Sequence, residues 1–242
     1  MADPRRIVGV IGGLGPAATA DFFSRIVQRT EARRDQDHLH IIIDNNPLIP
    51  DRNAARRGEG PSPGPELAAS AQRLEAAGAD ILCMACNTAH AYETEIRAAI
   101  RCPFISMIDA TLEDMSRRCP EVRTVGVLAV DACLEAELYQ KGLLARGRSA
   151  VILGGGGQAS FMTAINAVKA GETGDDPARR MRAAVQDLVT QGAEAIIAGC
   201  TEIPLVLKKS DAPIRLISST DALVERVIIA AGGRLRQTDQ FA

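Results

Sequence analysis

Two cysteines end apolar runs at matching places in the two halves of the chain. Residues 78–86 read Gly-Ala-Asp-Ile-Leu-Cys-Met-Ala-Cys, and residues 192–200 read Gly-Ala-Glu-Ala-Ile-Ile-Ala-Gly-Cys. A polar turn leading toward a helix follows each run, so we expect Cys86 and Cys200 at the carboxyl ends of two strands, where open α/β sheets bind ligands. A thiol at a helix N-terminus is expected to have a lowered pKa.

Two thiols on opposite sides of a substrate carbon could invert its configuration. Inversion by proton transfer needs a base on one face and an acid on the other, and a cysteine can serve as either. The neighbours Asn87, Thr88, Thr201 and Glu202 could orient the thiols or hold the amino and carboxylate groups of a substrate.

Other interpretations of the cysteines are less favoured. Either one alone could be a small buried hydrophobe. Cys83 and Cys86 also form the C-x-x-C of redox and zinc sites. The chain offers no second pair at zinc spacing, and Cys83 lies inside an apolar run. We therefore predict no metal and treat Cys83 as a core residue.

A glycine loop follows the first apolar run. Gly13, Gly15 and Ala18 fit the G-x-G-x-x-A form of the dinucleotide fingerprint. That fingerprint expects an acidic residue about 20 positions downstream, and Asp44 lies farther away than that. The backbone at Gly13 could instead approach a substrate carboxylate near a helix N-terminus, and we predict that no cofactor is bound.

Short apolar runs alternate with helical patterns along the whole chain, at residues 6–11, 40–44, 80–85, 104–108, 124–129, 150–153, 194–199 and 215–218. This alternation predicts an α/β fold with mainly parallel sheets covered by helices. The internal repeat predicts two similar three-layer domains related by a pseudo-two-fold axis. We assign residues 1–109 plus 218–242 to the first domain and 110–217 to the second, with the active site in the cleft between them. Residues 46–65 lack periodicity and predict a loop over the cleft.

Composition narrows the class of partner. The 242 residues carry a net charge of −2, which gives no general attraction for nucleic acid or membranes and favours a small-molecule partner. The six cysteines are not spaced as a disulfide framework. No apolar stretch resembles a signal peptide or membrane span, so we predict a cytoplasmic protein.

Several motifs together resemble the aspartate/glutamate racemase family, whose members work without pyridoxal phosphate, and most closely its aspartate racemases. They lie at residues 11–19, 35–38, 43–47, 50–52, 61–63, 84–90, 168–171, 199–205 and 221–222, and so cover essentially the whole chain. The two cysteine motifs in order, together with the glycine loop, make the resemblance specific.

The resemblance implies a homodimer that acts on an amino acid of the aspartate or glutamate class. It implies that Cys86 and Cys200 are the catalytic acid and base, and that Arg52 and Lys169 contact an acidic substrate. Arg52 could otherwise be a solvated loop charge, and Lys169 could be a partner of a helix dipole. His90 matches the motif, but a structural role is as plausible as a catalytic one.

The chain departs from the family near the start of its second half. Where relatives carry hydroxyl side chains, this chain has Val130 and Cys133, and residues 154–157 are all glycine. Losing hydroxyl donors weakens a carboxylate site. An acidic substrate therefore stays the leading expectation, and the second is an altered specificity, with poor activity on aspartate and a preference for a less acidic or bulkier amino acid. The alternatives are a maleate isomerase-like or decarboxylase-like reaction that uses one cysteine, and a non-catalytic small-molecule binding protein.

Overall fold

The computed structural model describes residues 5–237. Eight strands form at the eight predicted places: β1 (Val8–Gly12), β2 (Ile41–Asn45), β3 (Ile81–Met84), β4 (Phe104–Ile105), β5 (Thr124–Leu128), β6 (Ser149–Val151), β7 (Ala195–Ala198) and β8 (Arg215–Ser218).

The strands form two four-stranded sheets with the same internal order. The first sheet runs β2-β1-β3-β4 and the second runs β6-β5-β7-β8. Every pair of neighbouring strands is parallel, with Val8 opposite Ile81 in the first sheet and Val125 opposite Ala195 in the second. The predicted α/β class with parallel sheets is therefore confirmed, and the carboxyl ends of β1 and β3, and of β5 and β7, lie side by side.

Helices cover these sheets. Within residues 5–237 they are α1 (Pro16–Arg29), α2 (Arg52–Arg56), α3 (Gly64–Ala76), α4 (Glu93–Ala99), α5 (Met107–Arg118), α6 (Asp131–Glu135), α7 (Gln140–Leu144), α8 (Gly155–Lys169), α9 (Asp175–Thr190), α10 (Ile203–Val206) and α11 (Ser219–Ala230). Helix α1 shows why such segments fold: Pro16 suits its first turn, and Phe22 and Ile26 lie one turn apart on its buried face. No helix within the described residues is both long and apolar enough to span a membrane.

The apolar core follows the two sheets. One cluster joins β1 and β3 to α1 and α11 through Val8, Phe22 and Val227. A second cluster packs α3 and α4 on the opposite face of the same sheet, through Leu67 and Ile96. A single larger cluster fills the surroundings of the second sheet. The division into domains stays a prediction; its boundaries at 109 and 217 fall inside α5 and β8, and residues 1–4 and 238–242 lie outside the described part.

Two predicted segments need correction. The run 104–108 is a strand only as far as Ile105, because the Ser106 hydroxyl accepts a hydrogen bond from the Asp109 amide and caps α5. The stretch 46–65 is not wholly a loop, because α2 lies within it. Asp51 starts this helix by accepting a hydrogen bond from the Ala54 amide at 2.7 Å, which is a typical N-cap contact.

Candidate active site

A cavity between the carboxyl ends of the two sheets contains both predicted catalytic thiols. Its volume is about 290 Å³, counted together with its opening to solvent. Its lining comprises Leu14, Arg52, Asn53, Cys86, Asn87, Thr88, Val130, Lys169, Cys200, Thr201 and Glu202. Of the nine residues singled out from the sequence as site residues, only Gly13 lies outside this lining.

The sheets place the two thiols in equivalent ways. Strand β3 ends at Met84 and strand β7 at Ala198, so Cys86 and Cys200 each lie two residues beyond the end of a strand. Each cysteine is 6% exposed. The cavity therefore receives one nearly buried thiol from each sheet.

Cys200 has an acidic neighbour. Its thiol donates to Glu202 Oε2 at 2.9 Å, and the Thr201 hydroxyl donates to the same oxygen at 3.3 Å. Burial raises the pKa of the Cys200 thiol well above its usual value, the Glu202 carboxylate raises it further, and Lys169 opposes them. The expected lowering of the pKa by a helix N-terminus is wrong for this thiol, since α10 has only four residues and starts at Ile203.

Next to Cys86, His90 has both ring nitrogens engaged. Its Nδ1 donates to the Cys86 carbonyl oxygen at 2.7 Å, and its Nε2 accepts from the Met107 amide at 3.0 Å. This pattern fixes the neutral tautomer, and burial lowers the pKa of the ring. His90 therefore holds the backbone of Cys86 against the start of α5, and it is absent from the cavity lining.

A buried chain of hydrogen bonds joins the neighbourhoods of the two cysteines. The Tyr139 hydroxyl donates to Asn87 Oδ1. Asn87 Nδ2 donates to the Ser219 hydroxyl at 3.0 Å, which donates to the Ala198 carbonyl oxygen at 2.9 Å. The Asn87 amide is thus held between the strand ends that precede Cys86 and Cys200, and one of its N–H groups is left over for a substrate.

Two cationic side chains border the cavity. The Arg52 guanidinium donates to the carbonyl oxygens of Leu14 at 3.0 Å and Pro50 at 3.3 Å. Lys169 is the last residue of α8, so it is both at a helix C-terminus and beside the cavity. Among the described residues neither cation forms an ion pair, so both can bind an anionic ligand group.

Gly13 lies in a second cavity that adjoins the first. This cavity encloses about 670 Å³ including its open mouth, and it shares Arg52, Lys169 and Glu202 with the cavity that contains the thiols. The Gly13 amide donates to the Thr19 hydroxyl at 2.9 Å, so this N–H is already paired within the protein. A side chain at Gly13 would meet the Asn46 backbone at 2.4 Å, and its φ of +84° also favours glycine.

The two residues that depart from the family differ in their placement. Val130 lines the cavity that contains the thiols. Cys133 is fully buried and lines neither this cavity nor the next, and burial raises the pKa of its thiol to about 12. Cys83 is also fully buried, as expected of a core residue, and burial raises the pKa of its thiol.

The sequence interpretation missed three residues of this site. Leu14 and Asn53 line the cavity, and the Asn53 side chain accepts a hydrogen bond from the Ala132 amide at 3.4 Å. Tyr139 was also missed, although a buried tyrosine needs a partner for its hydroxyl. It is one of only two tyrosines in the chain, which is a weak signal without the fold.

The comparisons with known proteins agree on one family. The model of the Asp/Glu/Hydantoin racemase family matches residues 11–227. The broad specificity amino-acid racemase RacX of Bacillus subtilis is 25% identical over 92% of this chain and 96% of its own length. The solved structure of the Picrophilus torridus aspartate racemase has a TM-score of 0.83 at 31% identity, over 96% of both chains. The glutamate racemase of Campylobacter jejuni shares the fold, with a TM-score of 0.62 at 22% identity, over 96% of this chain and 88% of its own.

The fold, with two matching parallel sheets and a cavity between their strand ends, is that of an amino-acid racemase. The chain belongs to the Asp/Glu/Hydantoin racemase family, and the predictions of the family and of an isomerase are confirmed.

Proposed function

We propose that this racemase inverts the α-carbon of an amino acid between Cys86 and Cys200, without an added cofactor. The observation that supports the proposal is the delivery of one nearly buried thiol from each sheet into a single cavity. Two acid–base groups from opposite walls can address the two faces of one carbon.

Each turnover removes one proton from the α-carbon of the substrate and returns one to its opposite face. The thiolate on one side takes the α-proton and becomes a thiol, which leaves the bonding pair on the substrate as a carbanion. The thiol on the other side donates its proton to the opposite face and becomes a thiolate. The hydrogen bond from Cys200 to Glu202 and the raised pKa of Cys200 favour its thiol form, which suits Cys200 to the role of proton donor.

The carbanion needs positive charge close to the carboxylate that shares its electrons. Arg52 can bind this group through paired N–H donors, and Lys169 can act as a point charge. Stabilisation of charge that develops in the transition state is a large contribution to catalysis. Glu202, Thr88 and Thr201 line the same cavity and can accept hydrogen bonds from the substrate ammonium group.

The test is α-proton exchange in D₂O, followed by ¹H NMR and chiral analysis. The panel contains L- and D-amino acids, including aspartate and glutamate as the class implied by the resemblance, with no pyridoxal phosphate or metal added. We expect deuterium to enter the α-position as the opposite enantiomer accumulates. Cys86→Ala and Cys200→Ala should each lower the rate at which the opposite enantiomer accumulates by about 10²–10⁴-fold or more. Cys102→Ala is the matched control, because Cys102 lines neither cavity.

Other outcomes would contradict the proposal. Inversion that survives the loss of either thiol would rule out the two-thiol mechanism. A reaction other than inversion that needs only one thiol would favour the isomerase-like or decarboxylase-like alternative, and binding without turnover would favour a binding protein. The homodimer and the cytoplasmic location stay predictions that depend on the resemblance and on composition.

A further inference from the structure

The second cavity, which we name the side-chain cavity, has a mostly apolar lining. It is lined by Gly13, Gly15, Pro16, Ala17, Ala18, Pro47, Asp51, Arg52, Val168, Lys169, Glu202 and Leu205. Apart from the two glycines, six of these residues are apolar and four are charged. Its volume with its open mouth is about 670 Å³, against about 290 Å³ for the cavity that contains the thiols, counted in the same way. It therefore offers the larger space for a side chain.

The two cavities meet at charged residues that suit the common part of an amino acid. Arg52, Lys169 and Glu202 line both cavities. One Glu202 oxygen accepts from the Cys200 thiol, and the other lies 3.2 Å from where a Cβ at Gly15 would be. A carboxylate and an ammonium group held at this boundary leave one direction open for the side chain, which is into the side-chain cavity.

The charge of the side-chain cavity does not favour a second carboxylate. Its two cations, Arg52 and Lys169, are matched by two carboxylates, Asp51 and Glu202. The α-carboxylate and α-ammonium groups of the substrate cancel each other, so a side-chain carboxylate would meet a lining with no surplus of positive charge. Taking a carboxylate out of water without a cation to pair with it is costly.

Val130 makes the wall beside the thiols apolar as well. It is 2% exposed and lines the cavity that contains the thiols, while Cys133 is fully buried and lines neither cavity. Neither residue supplies the hydroxyl donors that a dicarboxylic substrate would use. The apolar contacts and the missing hydroxyl donors both favour a substrate whose side chain is uncharged.

We infer that the preferred substrate is an amino acid with a long apolar side chain, of the size of leucine or methionine, which occupies the side-chain cavity. This inference depends on the proposed function for the position of the α-carbon. It predicts that kcat/KM for leucine and methionine exceeds kcat/KM for aspartate and for alanine.

The test fills or enlarges the side-chain cavity. Ala17→Phe should lower the ratio of kcat/KM for leucine to kcat/KM for alanine by about tenfold or more, because the loss of space for even one methylene costs about 10–200-fold. Leu205→Ala should raise the same ratio. Ala183→Phe is the matched control, because Ala183 is exposed on α9 and lines neither cavity, and this variant should leave the ratio unchanged.

A binding measurement separates the failure of this inference from the failure of the proposed function. Calorimetric titration of Cys86→Ala/Cys200→Ala with leucine, alanine and aspartate reports affinity without turnover. Tighter binding of leucine that Ala17→Phe abolishes would support the inference even if wild-type protein racemised nothing. Tighter binding of aspartate than of leucine would overturn the inference. So would a ratio of kcat/KM for leucine to kcat/KM for alanine that is the same in wild-type protein, Ala17→Phe and Leu205→Ala.

Discussion

At the residue scale, the two thiols have different partners. The Cys200 thiol donates to Glu202, whereas at Cys86 it is the backbone carbonyl that is bonded, accepting from His90. The sequence placed both cysteines at strand ends, but it could not reveal this difference. It depends on how the Glu202 and His90 side chains are oriented in the folded protein. Burial is the largest cause of the raised pKa of Cys200.

The acidity of Cys200 should respond in opposite directions to its two charged neighbours. Glu202→Gln removes a carboxylate that raises the pKa of Cys200, so this variant should lower it. Lys169→Gln removes a cation that lowers this pKa, so the pKa should rise further. The measurement is the pH dependence of Cys200 alkylation in a Cys86→Ala background, with the modified peptide located by mass spectrometry.

The comparison of these two variants tests whether Glu202 and Lys169 are the charges that shift the pKa of Cys200. Below the pKa the thiol is protonated and reacts slowly, so a lowered pKa moves the rise in alkylation to lower pH. Cys86→Ala alone is the control. Shifts in the same direction, or no shift in either variant, would contradict the assignment of Glu202 and Lys169 as the dominant neighbouring charges.

At the scale of elements, local sequence signals located the strands better than the segments between them. The eight apolar runs are eight strands, because a fully buried parallel strand needs an unbroken apolar stretch. The short helix α2 was missed because five residues carry too little periodicity, although Asp51 was a usable capping signal. Similarly, the strand at 104 was predicted three residues too long because Ser106 caps the next helix.

Helix α8 begins with glycine residues, which have a lower helix propensity than most other residues. Gly155, Gly156 and Gly157 form its first turn, and a Cβ at Gly156 would meet nothing within 4 Å. Gly156→Ala should therefore raise the free energy of unfolding by about 0.4–1 kcal/mol, chiefly by restricting the unfolded chain. Urea unfolding followed by circular dichroism measures this change.

The matched variant for this prediction is Gly13→Ala. Its positive φ and its contact with Asn46 leave no room for a Cβ, so the same substitution should lower the free energy of unfolding by more than about 1 kcal/mol. If both variants shifted stability in the same direction, backbone conformation would not be the cause.

At the scale of the whole molecule, the site depends on contacts between the two halves of the chain. The Tyr139 hydroxyl donates to Asn87, and Asn87 donates to Ser219, so Asn87 in the first half is bonded to two residues of the second half. The internal repeat predicted that the two cysteines would face each other. It could not predict the residues that hold the halves together, since Tyr139 and Ser219 have no counterparts in the repeated motifs.

The predicted homodimer has a candidate contact on α1. Phe23 is 43% exposed and Val27 is 38% exposed, and residues four apart share a helix face. We expect wild-type protein to be dimeric and Phe23→Asp to be monomeric in size-exclusion chromatography with light scattering.

The control for the homodimer prediction is Leu144→Asp. Leu144 is 75% exposed on α7, so the same change there should leave the dimer intact. A monomeric wild type would refute the homodimer, and a dimeric Phe23→Asp would place the contact elsewhere.

The two matching sheets supply unlike residues to the two faces of the substrate, but this difference cannot change the equilibrium ratio of the L and D enantiomers. Two enantiomers have equal free energies in water, so the equilibrium constant of racemisation is unity for any protein. The values of kcat/KM for the L and D forms must therefore be equal, however different Asn87 and Thr88 are from Thr201 and Glu202. Divergence between the two halves can make one mirror form bind more tightly and turn over more slowly. Enrichment of either form in the cell requires a second, energy-driven or consuming reaction outside this molecule.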